Sequence, residues 1–112
     1  MRADEASVKL DPGLDEVVHR LVAELQPDRI YLFGSRARGD WNEQSDYDLM
    51  VLVDYPAPRP YRLAQRAYAA ISDLRVPVDV VVMNRQRFEW LRTAAASLAA
   101  TVAREGSLLY AA

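Results

Sequence analysis

The 112-residue sequence contains no cysteine. Disulfide scaffolds, thiolate metal sites and cysteine nucleophiles are therefore excluded together. Histidine occurs once, as His19 between apolar residues near the start of the chain, and a lone histidine in that setting is assigned no catalytic role. Lysine also occurs once, the other basic residues are arginine, and the formal net charge is −2 with a pI near 5.3. Sequence-independent nucleic-acid binding draws on a broad basic surface, so no direct nucleic-acid partner is expected. No apolar run approaches twenty residues, and no charged segment leads into an apolar one. Neither a membrane span nor a signal peptide is expected, and the cytoplasm is the default location.

What is present suits one domain over residues 1–112: 51% of the residues are hydrophobic and 27% charged, the balance of a chain that folds around a core. Residues 1–10 read as a polar lead-in, followed by Asp11-Pro12 as a helix N-cap and first-turn proline. Leu14, Val17, Val18, Leu21, Val22 and Leu25 recur at helical spacing until Gln26-Pro27 stops the helix. Ile30 to Phe33 is a short strand ended by Gly34-Ser35. Tyr47 to Val53 reads as a strand whose lack of alternation implies burial on both faces and a central place in a sheet. The proline-rich stretch Tyr55 to Pro60 connects to a helix over Tyr61–Leu74 with an inner stripe of Leu63, Ala67, Ile71 and Leu74. Val78 to Met83 is another strand, and the chain is helical again from Gln86, with a break near Ala94–Ser97 and Gly106 placed as a C′ glycine. Ser107 to Tyr110 closes the order as an edge strand. Strands alternating with helices define an α/β (α+β) fold with helices packed on a sheet.

Two acids interrupt this pattern on the way into the most apolar strand. Asp46 and Asp48 are two residues apart, so they share a face. Two carboxylates ~6 Å apart repel by roughly 3 kcal/mol at an effective dielectric of about 20. A divalent cation relieves that repulsion directly, and oxygen donors without thiolate or nearby imidazole favour Mg²⁺ or Mn²⁺ over zinc. Asp79 repeats the anomaly inside Val78-Asp-Val-Val-Val-Met83, and the three acids can converge if the two strands are neighbours. The plain alternative is that each acid is solvated at a strand mouth or paired with an arginine. Upstream, Gly34 permits close backbone approach and the Ser35 hydroxyl can donate to phosphate oxygens, with Arg36 and Arg38 placed to add charge-assisted contacts and Gly39 to close the turn. A strand-Gly-Ser turn alone is a common connection, and the Walker spacing and its lysine are absent.

In combination these features carry more. Gly34-Ser35, ten residues from Arg36 to Ser45, then Asp46-Tyr-Asp48 form a pattern resembling the signature of the DNA polymerase β-like nucleotidyltransferase superfamily. Four fixed residues at ~1 in 20 each, tried along about a hundred start points, arise by chance on the order of once in a thousand chains. Ser45, Leu49 and Val78-Asp79-Val80 extend the match. Within that superfamily the chain most resembles the minimal nucleotidyltransferases (MNT), antitoxins often paired with a HEPN-domain toxin, from the first helix through FGSRARG to Arg104-Glu-Gly-Ser-Leu-Leu-Tyr110. The resemblance implies a small mixed β-sheet flanked by helices in the polymerase β-like fold, ATP as donor and Mg²⁺ as cofactor. It also implies that Gly34 and Ser35 hold the triphosphate, that Asp46 and Asp48 hold two metal ions, and that Asp79 is the third carboxylate. Asp79 would complete the ligand set and receive the proton of the attacking hydroxyl. AMP transfer to a tyrosine of the HEPN toxin is the activity so implied.

Two other readings stand beside it: neutralisation of a partner by occlusion without catalysis, and nucleotidyl transfer to a small molecule or an RNA end. Larger superfamily members clamp their substrates with an additional helical domain, so a partner is expected to complete the site here, and a homo-oligomer is compatible with the sequence. The loop Tyr55 to Tyr61, with Tyr68 and Trp90, is the expected docking surface. Trp41, Asn42, Glu43 and Gln44 are expected to form a loop over the site.

Overall fold

The computed structural model describes residues 12–112 except Trp41, Glu43, Gln44 and Pro58. Expectations for the lead-in, for Asp11 as N-cap and for those three loop residues therefore lie outside the described residues. Helix α1 (Pro12–Leu25) buries Leu14, Val17, Leu21 and Leu25, the stripe expected from their spacing. It ends where Gln26 turns to φ 47 and hands the chain to Pro27, the Gln26 amide still donating to the Val22 carbonyl at 3.0 Å. Strand β1 (Arg29–Phe33) follows, then the single turn of helix α2 (Ser35–Arg38). Strand β2 (Tyr47–Val53) has the bounds expected of it, and Leu49 to Val53 have no exposed surface at all.

Helix α3 (Pro60–Ile71) is the crossover that makes strand β3 (Val78–Asn84) parallel to β2. Asn84 ends the strand and caps helix α4 (Arg85–Leu91), accepting from the Gln86 amide at 2.9 Å. The break expected near Ala94–Ser97 is present. Ser97 donates to the last-turn carbonyl of Leu91 at 2.6 Å and accepts from the Ala100 amide, so one hydroxyl ends α4 and caps helix α5 (Leu98–Glu105). Strand β4 (Ser107–Ala111) then pairs antiparallel with β1 at the sheet edge.

Gly106 differs from its expected role. It is extended, at φ −75 and ψ 150, and is no left-handed C′ residue. Crowding explains the glycine: a Cβ there would sit 2.5 Å from the Val102 carbonyl oxygen and 3.3 Å from that of Leu32.

The sheet order is β3-β2-β1-β4, mixed, with β1 and β2 inside. Alternation divides the side chains of β2 between two cores. Leu49, Val51 and Val53 join α1 and α3 on one face, while Met50 and Leu52 join Phe88, Ala99 and Val102 of α4 and α5 on the other. Helices α1 and α3 are further tied by Arg20, which reaches Asp73 and the Ala70 carbonyl, and by Arg66, which reaches the Glu24 carbonyl. Among the described residues no helix is long and apolar enough to cross a membrane.

Leu52 lies at the centre of the second core with no exposed surface. Leu52→Ala is expected to cost about 2–5 kcal/mol of folding stability by leaving a cavity that the sheet cannot collapse into, read from the midpoint of denaturant unfolding.

Candidate active site

One end of the sheet collects the residues that the sequence singled out. It is the end where β1 finishes and both β2 and β3 begin. Phe33 pairs with Asp48 across β1 and β2, and Asp48 pairs with Asp79 across β2 and β3. Asp48 alternates with Met50 and Leu52, and Asp79 with Val81 and Met83, so both carboxylates point to the face that carries α4 and α5. Asp46, exposed, stands immediately before β2.

Gly34 is what lets the turn lie against these acids. Its backbone sits at φ 75, ψ −159, a region open essentially to glycine alone. A Cβ at this position would run into the Asp48 carboxylate. The Gly34 carbonyl accepts from the amides of Ala37 and Arg38, both at 3.1 Å, and this folds Ser35–Arg38 into its single turn. Gly39 closes the turn at φ 90, its amide donating to the Ser35 carbonyl, as expected.

Burial lifts the Asp48 carboxyl above the ordinary carboxylate range; the charges of Asp79 and then Asp46 push it the same way, and Arg38 opposes them. Among the described residues no basic side chain forms an ion pair with Asp46, Asp48 or Asp79. Asp79 accepts from the Tyr68 hydroxyl at 3.5 Å, which itself accepts the Val80 amide at 2.8 Å. Three hard oxygen donors on one sheet end, repelling one another and without an ion pair among the described residues, suit Mg²⁺ or Mn²⁺ in kind. Their side chains are neighbours, yet among the described residues no three acids or histidines gather on one metal-holding point.

The two arginines of α2 are engaged with protein. Arg36 donates to the Ser45 carbonyl through Nε at 3.2 Å and Nη2 at 3.0 Å, and its guanidinium carbon lies 4.4 Å from the Tyr47 ring centroid. Arg38 pairs with Asp40 at 3.3 Å and with Glu105, at the end of α5, at 3.6 Å. Sequence reasoning did not find Glu105 or Tyr47. Glu105 carries no local signal, because only the packing of α5 beside β1 brings it to Arg38. Tyr47 was in reach, since alternation turns it to the face opposite Asp46 and Asp48.

The expected docking surface divides in two. Tyr68 lies on α3, over one face of the sheet, with its hydroxyl on the β3 edge, whereas Trp90 lies 73% exposed on α4, over the other face. They cannot belong to one patch with the proline-rich loop, because the sheet stands between them.

A glycine-serine turn set against paired carboxylates on a small mixed sheet defines a class of protein, a nucleotide-handling domain suited to group transfer. A model of the nucleotidyltransferase domain matches residues 14–104, and the chain belongs to that family. Over 99% of its length it superposes on 90% of a Sulfolobus solfataricus protein provisionally named a nucleotidyltransferase, with a TM-score of 0.61 at 17% identity, a likeness of fold. Antitoxins of MNT and HEPN toxin–antitoxin pairs are also structural neighbours. A chain from a toxin–antitoxin complex solved with AMP-PNP is 27% identical at a TM-score of 0.53, the match covering 88% of this chain and 73% of that one. A Shewanella oneidensis complex of an MNT antitoxin with a tri-AMPylated HEPN toxin contains a chain 24% identical at a TM-score of 0.50, covering 89% and 71%. A Methanocaldococcus jannaschii protein provisionally named a protein adenylyltransferase is 62% identical over 26 residues, which are 23% of this chain and 26% of that protein. The match thus spans about a quarter of that relative's length.

Two predictions follow from the geometry. Because the Asp48 carboxyl is raised in the folded state, its ionisation opposes folding: the cost is full above the raised value and absent below the ordinary carboxylate value. Without divalent cation, Asp48→Asn is expected to melt higher than the parent at neutral pH, with the gap closing as the pH falls to about 3; a gap that widens on acidification would contradict this. Gly34→Ala, forced into a glycine-only conformation and against Asp48, is expected to lose about 1–3 kcal/mol or more of stability by denaturant unfolding.

Proposed function

We propose that the protein is a Mg-ATP-dependent protein adenylyltransferase, an antitoxin that modifies a tyrosine of a HEPN-domain toxin. The observation that carries the reading is the Asp48 carboxylate, packed against a glycine-only turn and in register with Asp79. Membership of the nucleotidyltransferase family supports transfer as the chemistry. ATP as donor is supported by the neighbour solved with AMP-PNP, and the partner and its modification by the neighbour described as a complex with a tri-AMPylated HEPN toxin.

In this reading Gly34 and Ser35 hold the triphosphate, and Asp46, Asp48 and Asp79 hold two Mg²⁺ ions, with Mn²⁺ as an alternative. Bound there, the ions would supply charge neutralisation for the triphosphate and Lewis-acid polarisation of its α-phosphate. Asp79 accepts the proton of the attacking tyrosine hydroxyl as its oxygen bonds to the α-phosphorus and the bond to the bridging oxygen breaks, pyrophosphate leaving; no covalent enzyme intermediate is needed because positioning and charge stabilisation suffice. Arg38 reaches a phosphate oxygen by exchanging its exposed pair with Asp40, a pair worth little in water. Arg36 is expected beside it, with its guanidinium held on the Ser45 carbonyl and over the Tyr47 ring.

Intact-mass measurement after incubation with Mg-ATP and a HEPN-domain toxin from the same organism tests the reading. An AMP-sized adduct on the partner is expected, lost in Asp46→Ala/Asp48→Ala and reduced at least ~100-fold in rate in Asp79→Ala with the fold intact. Inhibition of the partner with no adduct would replace catalysis by occlusion. An adduct on a small molecule or an RNA end instead would replace the acceptor.

A further inference from the structure

We infer that Arg36 is a positioning residue that fixes where Asp46 and Asp48 stand relative to the Gly34-Ser35 turn. The inference rests on the reading of those four residues as one nucleotide and metal site. Arg36 belongs to α2, one residue beyond Ser35, so its backbone moves with the turn. Its side chain spans the loop and grips the other half of the site. Two guanidinium nitrogens share the carbonyl of Ser45, the residue before Asp46, and the guanidinium carbon lies over the ring of Tyr47, the residue between the two acids. Tyr47 is itself anchored, buried on the face opposite the acids with its amide donating to the Pro77 carbonyl at 2.9 Å, next to β3. A single side chain therefore joins the turn of β1 to the mouth of β2, and through it to the strand that carries Asp79.

Arginine chemistry is required for this. A planar fork can donate two N–H groups to one carbonyl and still present its face to an aromatic ring; an ammonium cannot do both. A phosphate-binding residue behaves differently, since lysine retains the charge and much of the contact. The two roles thus predict opposite outcomes for Arg36→Lys.

Hydrogen exchange of the ligand-free protein is the deciding measurement. The Ser45 amide donates to the Asn42 carbonyl and the Tyr47 amide to Pro77, and in Arg36→Lys both are expected to exchange about tenfold faster or more, while Leu49 to Val53 keep their protection. AMP-PNP binding in EDTA should stay within about twofold of the parent, and the Mg²⁺ concentration that half-saturates AMP-PNP binding should rise about tenfold. Unchanged exchange at Ser45 and Tyr47 overturns the proposal whatever the nucleotide does. So does a loss of AMP-PNP affinity in EDTA with an unchanged Mg²⁺ requirement, the pattern of a phosphate contact. Should the parent itself not bind AMP-PNP, the site reading fails, and the exchange result still decides whether Arg36 pins the strand. Tyr47→Leu removes the stacking surface but preserves burial, and its effect on exchange should be less than additive with Arg36→Lys; full additivity counts against the proposal.

Discussion

The register in which β2 and β3 pair is the constraint on which the site depends. Asp48 faces Asp79 only because Tyr47 is opposite Val78 and each following pair is in step to Val53 and Asn84. A slip of one residue would turn Asp79 to the other face, among the side chains that pack on α1 and α3, and leave a valine beside Asp48. Burial prevents the slip: β2 is covered on both faces, and its two sets of side chains belong to two separate cores. Both ends of β3 are pinned as well. Pro77 accepts the Tyr47 amide at the start, and at the end Asn84 caps α4 while donating to the Tyr55 carbonyl at 3.3 Å. Between them the Tyr68 hydroxyl accepts the Val80 amide. Core packing, edge satisfaction and the placing of two carboxylates are thus one geometric fact.

The same register imposes an electrostatic cost. Asp48 is partly withdrawn from water, against a glycine backbone, with two further carboxylates near it and Arg38 opposing them. The fold limits this cost by position. Asp46 precedes the strand and Asp79 sits on an edge strand, so both remain in water, where their charges are screened. Only the middle acid is partly buried. Moved a few residues further into β2, the same cluster would lie among residues with no exposed surface, where an unpaired charge is far more expensive.

How much of this was legible in the sequence depended on how local each signal was. The stripe of α1, the double burial of β2 and the break before α5 follow from periodicity and turn residues within one element. The family pattern of turn and acids lies within sixteen consecutive positions, from Phe33 to Asp48, and was readable for the same reason. Gly106 was misread because its glycine answers crowding of the Cβ position, chiefly by the Val102 carbonyl four residues earlier and then by that of Leu32, and no left-handed backbone. The protein contacts of the two arginines were hidden on a similar ground. Charge and proximity to the turn argued for phosphate, but the Ser45 carbonyl, the Tyr47 ring and Glu105 become partners only when β2 and α5 return beside β1. Trp90 and Tyr68 looked alike as exposed aromatics, and only the two-sided sheet separates them.

Which sides of the carboxylates are covered also bears on where an acceptor arrives. On the β1 side stand α2 and the link from Arg38 to Glu105 at the end of α5. On the β3 side no further strand follows among the described residues, and Asp79 is exposed. On the proposed reading the nucleotide occupies the turn side, so the acceptor hydroxyl comes over the β3 edge, where Asp79 is the first carboxylate it meets. Tyr68 illustrates the reach involved: from α3, on the far side of that edge, a tyrosine ring is long enough to bring its hydroxyl to 3.5 Å from the Asp79 carboxylate. A serine or threonine would have to bring its own backbone into the same space. A rigid ring with a hydroxyl at its tip would let a partner protein stay outside the sheet edge, so the proposed tyrosine acceptor fits this approach better than a short side chain would.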